Sequence, residues 1–160
     1  MNPAQARCLI LACGNTLRSD DGVGPKLAEW AAERFRDNSG VRVLARQQWT
    51  PDLAEDIAGA ESVLFVDSSL DSGPGLVRLT AVPLHFNSAQ PASHDSHHVD
   101  PPGLLSLTHS LYGSLSAHAM LLTVGAGSTD LGEVLSQPVE AALPRARRIL
   151  EKAVLRFLGN

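Results

Sequence analysis

Three aspartates and a group of histidines hold most of the chemistry this sequence could perform. Asp20 and Asp21 stand side by side, after an apolar run at residues 8–13 (CLILAC) and a break at Gly14-Asn15, and ahead of Gly22 and Gly24. Asp67 closes a second apolar run at residues 62–67 (SVLFVD). All six histidines, His85, His94, His97, His98, His109 and His118, fall between residues 85 and 118. Two carboxylates and an imidazole form an oxygen–nitrogen donor set that suits zinc, nickel or iron. Three protein ligands with open positions is how catalytic metal sites are assembled. The same groups can do acid–base work without a metal. Aspartate near a helix start can also be a cap, and a histidine-rich loop can be plain solvated surface.

Several other chemistries lack their residues. A dinucleotide fingerprint needs G-x-G-x-x-G, but Gly14 and Gly22 are far off that spacing, and Asp20 and Asp21 would repel a pyrophosphate. No G-K-[ST], H-E-x-x-H or G-x-S-x-G occurs, which disfavours a P-loop, a conventional zinc protease and a serine elbow. Cys8 and Cys13 sit five apart on one expected strand, point to opposite faces and read as core thiols of a reduced, cytoplasmic protein. The net charge of −4 contains no basic block, so nucleic acid is not an expected partner. The first ten residues lack the pattern of a secretory signal, and the first apolar run is too short to span a membrane.

The elements that would position the acids follow from periodicity. With 160 residues, 44% apolar and 19% charged, residues 1–160 are expected to form one domain with a proper core. Strands are expected at residues 8–13, 41–45, 62–67 and 119–124, and an antiparallel edge strand at 76–82. Helices are expected at 25–35, from a Thr50 cap with Pro51 in the first position to about 58, and at 101–112. A last helix should start near Val139, or at Pro144, and run to 158. Residues 83–100 read as a long loop. Strands alternating with helices imply a three-layer α/β domain, with a five-stranded, mostly parallel sheet covered by helices on both faces. Right-handed crossovers place the first strand between the second and third. Asp21 and Asp67 then face each other across the crevice where the winding reverses.

The segment LILACGNTLRSDDGVGPKLAE resembles the opening motif of the hydrogenase maturation proteases, and the resemblance continues through LFVDSSLDSGPGLVRL, SHHVDPPGLLSLTHSLYG and TVGAG. It implies an endopeptidase that removes a C-terminal extension from the precursor of a nickel–iron hydrogenase large subunit. It also implies nickel ligation by Asp21, Asp67 and His97, with His98 standing beside His97 as the alternative. Asp20 matches a family acid with a capping role or a part in cleavage. Gly14, Asn15, Gly22, Gly24 and His98 are expected to shape the substrate crevice. The remaining histidines match no family position and read as surface or core residues. Where many relatives carry Asp-Gly-Gly after the second strand, this chain has Ala45-Arg46-Gln47-Gln48.

Two acids and one histidine make a weak resting site, since strong sites add ligands and orienting partners. The resemblance implies that nickel arrives already bound to the precursor, and no organic cofactor is expected. Two other readings stay open: a module that senses nickel and cuts nothing, and a peptidase of the same fold with another substrate, like the spore germination proteases.

Overall fold

The computed structural model describes residues 5–83, 99–114 and 116–159. The first apolar run forms β1 (Ala6–Cys13), and its side chains alternate between two cores. Cys8, Ile10 and Ala12 join one cluster, and Leu9 and Leu11 join the other. A strand covered on both faces has no need of an exposed polar row, so its sequence reads as unbroken apolar. A 3-10 turn (Ser19–Gly22) follows and runs directly into α1 (Val23–Arg34). Next come β2 (Val41–Arg46), α2 (Leu53–Ala58), β3 (Ala60–Ser69), β4 (Val77–Ala81), α3 (Pro101–Tyr112), β5 (His118–Gly125) and α4 (Gln137–Phe157).

The sheet order is β2-β1-β3-β5-β4, with every pair parallel except the antiparallel β4–β5 edge. Helices α1 and α4 cover one face, where Leu27, Ala31, Val139, Ala146 and Leu150 are buried. Helices α2 and α3 cover the other, through Leu53, Ile57, Leu104 and Leu105. The fold is therefore the expected three-layer α/β domain. Among the described residues, no helix is long and apolar enough to cross a membrane.

One helix start differs from expectation, and another falls near the earlier of the two starts left open. Thr50 and Pro51 belong to a turn closed by the Leu53 N–H donating to the Thr50 carbonyl at 3.1 Å, and α2 begins after Asp52. Helix α4 starts at Gln137 and continues straight through Pro144. An interior proline forfeits a backbone hydrogen bond. Here the buried stripe from Val139 to Val154 outweighs that loss. Asp100, the last residue of the expected loop, caps α3 by accepting from the Gly103 N–H at 2.8 Å.

Candidate active site

The β1–β3 ladder ends at the Ala12–Val66 pair, while β3 continues beside β5 to Ser69. Asp67 therefore lies just past the point where β1 has turned away. The turn after β1 brings Asp21 back over that gap. Glycine makes the turn possible. A Cβ on Gly14 would stand 1.9 Å from the Asp21 carbonyl oxygen, and one on Gly24 would stand 2.3 Å from that of Cys13. No side chain fits at such separations, so both positions require glycine. Gly22 is less tight, with 3.0 Å to the Thr16 Cα. These glycines act by letting the backbone approach closely beneath the acids.

Asp21 and Asp67 line one cavity of ≈ 360 Å³, together with Arg18, Ser68, Leu70 and Thr129. Ser68 ties the two acids together. Its hydroxyl donates to Asp21 Oδ1 at 3.1 Å, and its backbone N–H donates to Asp67 Oδ1 at 2.8 Å. The Asn15 N–H donates to Asp21 Oδ2 at 2.8 Å, and Asn15 Oδ1 in turn accepts from the Leu17 N–H at 2.9 Å. Asn15 thus holds the acid with its backbone and its own loop with its side chain.

Burial pushes the Asp67 carboxyl up to about 6, against a hydrogen bond from the Ser68 N–H. The neighbouring Asp21 charge raises it further, and a hydrogen bond from the Trp49 side chain opposes that. Trp49 is held by an edge-to-face contact with buried Phe65, with ring centroids 5.5 Å apart. The cysteines lie outside this chemistry. Burial lifts the Cys8 thiol to about 12, and burial with the charges of Asp67 and Asp21 lifts Cys13 equally far. Neither supplies a thiolate near neutrality.

The raised Asp67 value makes a stability prediction for the metal-free protein. Its usual value is 3.8. Below about pH 4 the folded and unfolded chains both hold the proton, and there is no penalty. As pH rises toward 6 the unfolded chain releases it while the folded chain keeps it, so stability falls. Above that range the folded protein carries a half-buried charge costing about 3 kcal/mol. Asp67→Asn is therefore expected to stabilise the protein by about 3 kcal/mol near pH 7.5, and hardly at all near pH 4. Urea denaturation at the two pH values checks this, and an equal effect at both contradicts it.

Asp20 has a different place from its neighbour. It is 0% exposed and accepts four hydrogen bonds, from the N–H groups of Gly127, Ser128 and Ser136 and the Ser136 hydroxyl, at 2.6 to 2.9 Å. Burial alone would raise its carboxyl, but these four donors outweigh it and hold it below the usual range. A carboxylate occupied in this way is a clamp between the 3-10 turn and the segment leading into α4. Of the two roles the resemblance leaves to Asp20, capping or a part in cleavage, these bonds favour the structural one. His97 and His98 lie outside the described residues, as do His85 and His94. Of the other two, His118 stacks on Phe157, with centroids 5.9 Å apart. His109 lies in the last turn of α3.

Sequence reasoning missed Ser68, Trp49 and Ser136. Ser68 had a signal, since it directly follows the strand-end acid. Trp49 and Ser136 had none, because tertiary packing alone brings them to Asp67 and Asp20.

A doubly wound sheet with two acids at its switch point defines an α/β protein whose ligand crevice lies beyond the ends of β1 and β3. The chain is 30% identical to the [NiFe] hydrogenase maturation protease HybD of Thermococcus kodakarensis, with a TM-score of 0.67 over 92% of this chain and 98% of that one. It is 28% identical to a hydrogenase 2 maturation peptidase from a Thaumarchaeota archaeon, with a TM-score of 0.68 over 92% and 97% of the two chains. The hydrogenase expression/formation protein HupM of Azotobacter chroococcum is 29% identical over 155 residues, 93% of this chain and 72% of that protein. No family model matches the chain. The chain belongs to the hydrogenase maturation protease family.

Proposed function

We propose that the protein is an endopeptidase that removes the C-terminal extension of a nickel–iron hydrogenase large-subunit precursor once nickel has been inserted. The observation that carries this reading is the Asp21–Ser68–Asp67 arrangement in one open cavity, within the frame of a maturation protease. Each bonded carboxylate oxygen keeps a second lone pair for a ligand. Among the described residues, no group of three His, Cys, Asp or Glu side chains could hold a metal by itself. Two oxygen donors suit an ion that brings other ligands with it, as nickel seated in a precursor does. His97 is proposed as the third donor, with His98 beside it as the alternative.

The acids serve two purposes in this scheme. Asp21 and Asp67 present oxygens to the precursor's nickel, which fixes the scissile peptide against the cavity. Much of the rate comes from that positioning. Water adds to the scissile carbonyl, the C–N bond breaks, and the departing amine takes up a proton. The attacking water gives up a proton, and a carboxylate oxygen of Asp21 or Asp67 left free by the nickel can carry it to the amine.

The test is cleavage of matched precursors with and without nickel. The loaded form should be shortened and the nickel-free form left intact. Equal cutting of both would remove the sensing role while leaving the peptidase. Cutting of neither, with nickel-dependent binding retained, would favour a module that senses without cleaving.

A further inference from the structure

Four large apolar side chains stand exposed on the segments around the crevice: Leu17 at 53%, Leu70 at 77%, Leu131 at 81% and Val134 at 79%. Exposed apolar residues scattered singly need no explanation, but a contiguous group around a site marks an interaction surface. Leu70 lines the same cavity as Asp21 and Asp67. Leu17 lies on the turn that delivers Asp21, and Leu131 and Val134 lie on the segment that precedes α4. These last two segments are fastened together. The Ser19 N–H donates to the Gly132 carbonyl at 2.7 Å, the Gly132 N–H to the Leu17 carbonyl at 2.9 Å, and the Ser19 hydroxyl to the Asp130 carbonyl at 2.8 Å. Asp20 clamps the same pair from below, and Leu135 anchors the segment in the core.

The three side chains are therefore held outward on a fixed frame and are not the loose tips of a mobile loop. A binding surface is built this way, with anchors presented by backbone that is already ordered. We infer that Leu17, Leu70, Leu131 and Val134 form an apolar rim that grips an apolar stretch of the precursor polypeptide flanking its scissile bond. The inference rests on the proposed peptidase reading. The occupant follows from continuity with the cavity. Leu70 lines that cavity beside Asp21 and Asp67, and the two fastened segments reach it through Arg18 and Thr129.

The test measures association of the nickel-loaded large-subunit precursor with the full chain by stopped flow, before turnover, and processing in a separate assay. The double variant Leu131→Ser/Val134→Ser and the single variant Leu70→Ser should each bind about tenfold or more weakly. Leu111→Ser, which alters an exposed leucine on α3, should bind like the unaltered chain. Unchanged binding in the rim variants overturns the inference, as does equal weakening in Leu111→Ser. Loss of a dimer in the rim variants, with precursor binding unaffected, would assign the rim to a second copy of this chain and also overturn it. Failure of the unaltered chain to bind removes the inference and the peptidase reading together. Binding without cutting removes the peptidase reading and, with it, the scissile-bond placement of the rim, whereas cutting with rim-independent binding removes only the rim.

Discussion

Asp21→Asn is expected to reduce processing of the nickel-loaded precursor by about a thousandfold while leaving the protein folded, a loss in the range of a missing acid–base or ligand group. The fold should survive because the local bonds can be remade. The asparagine carbonyl oxygen can still accept from the Asn15 N–H, and its amide can donate to the Ser68 hydroxyl, which rotates to accept. What disappears is the charge and one of the two acceptor oxygens. A second effect follows from the same loss. The Asp21 charge is one of the influences that raise the Asp67 carboxyl, so the Asp67 titration should move down in the variant. Gel-shift processing, thermal melting and carbon-detected NMR of Asp67 read the three effects separately. Full processing by Asp21→Asn would remove Asp21 from the site, whatever the melting curve showed.

The sheet order was legible because it depends on the alternation of strands and helices and on crossover handedness, both of which the periodicity carries. The juxtaposition of Asp21 and Asp67 followed from that order. Local signals competing with packing were harder to read. Pro51 and Pro144 both look like helix starts, yet one lies in a turn and the other inside α4. In each case the buried stripe of the helix, and not the proline, sets where the helix runs. The role of Asp20 stayed open between capping and cleavage, and the cause is distance along the chain. Adjacent aspartates look alike in sequence. The donors that separate them, at Gly127, Ser128 and Ser136, lie more than a hundred residues away. The histidine expected as third ligand lies in the stretch between β4 and α3 that is outside the described residues.

Asp20→Ala is expected to cost about 3–5 kcal/mol of stability, the usual consequence of leaving the partners of a buried charged group unsatisfied. Three backbone N–H groups and one hydroxyl would lose their shared acceptor in a site closed to bulk water. For a domain of ordinary stability that is a third or more of the total, so the variant should melt far below the parent. Asp20→Asn keeps the shape and one acceptor oxygen, and should cost less. The pH dependence has the opposite sign to that of Asp67. The folded Asp20 carboxyl sits below its usual value of 3.8, so its stabilising contribution is complete above that pH and is lost as pH falls through the folded value. Urea denaturation near pH 7 should show the full penalty of Asp20→Ala, and denaturation at strongly acid pH a smaller one. The same variants decide between clamp and catalyst. A clamp makes the loss of processing follow the loss of folded protein as temperature rises. Asp20→Asn that melts like the parent but processes nothing would return Asp20 to the chemistry and undo its assignment as a clamp.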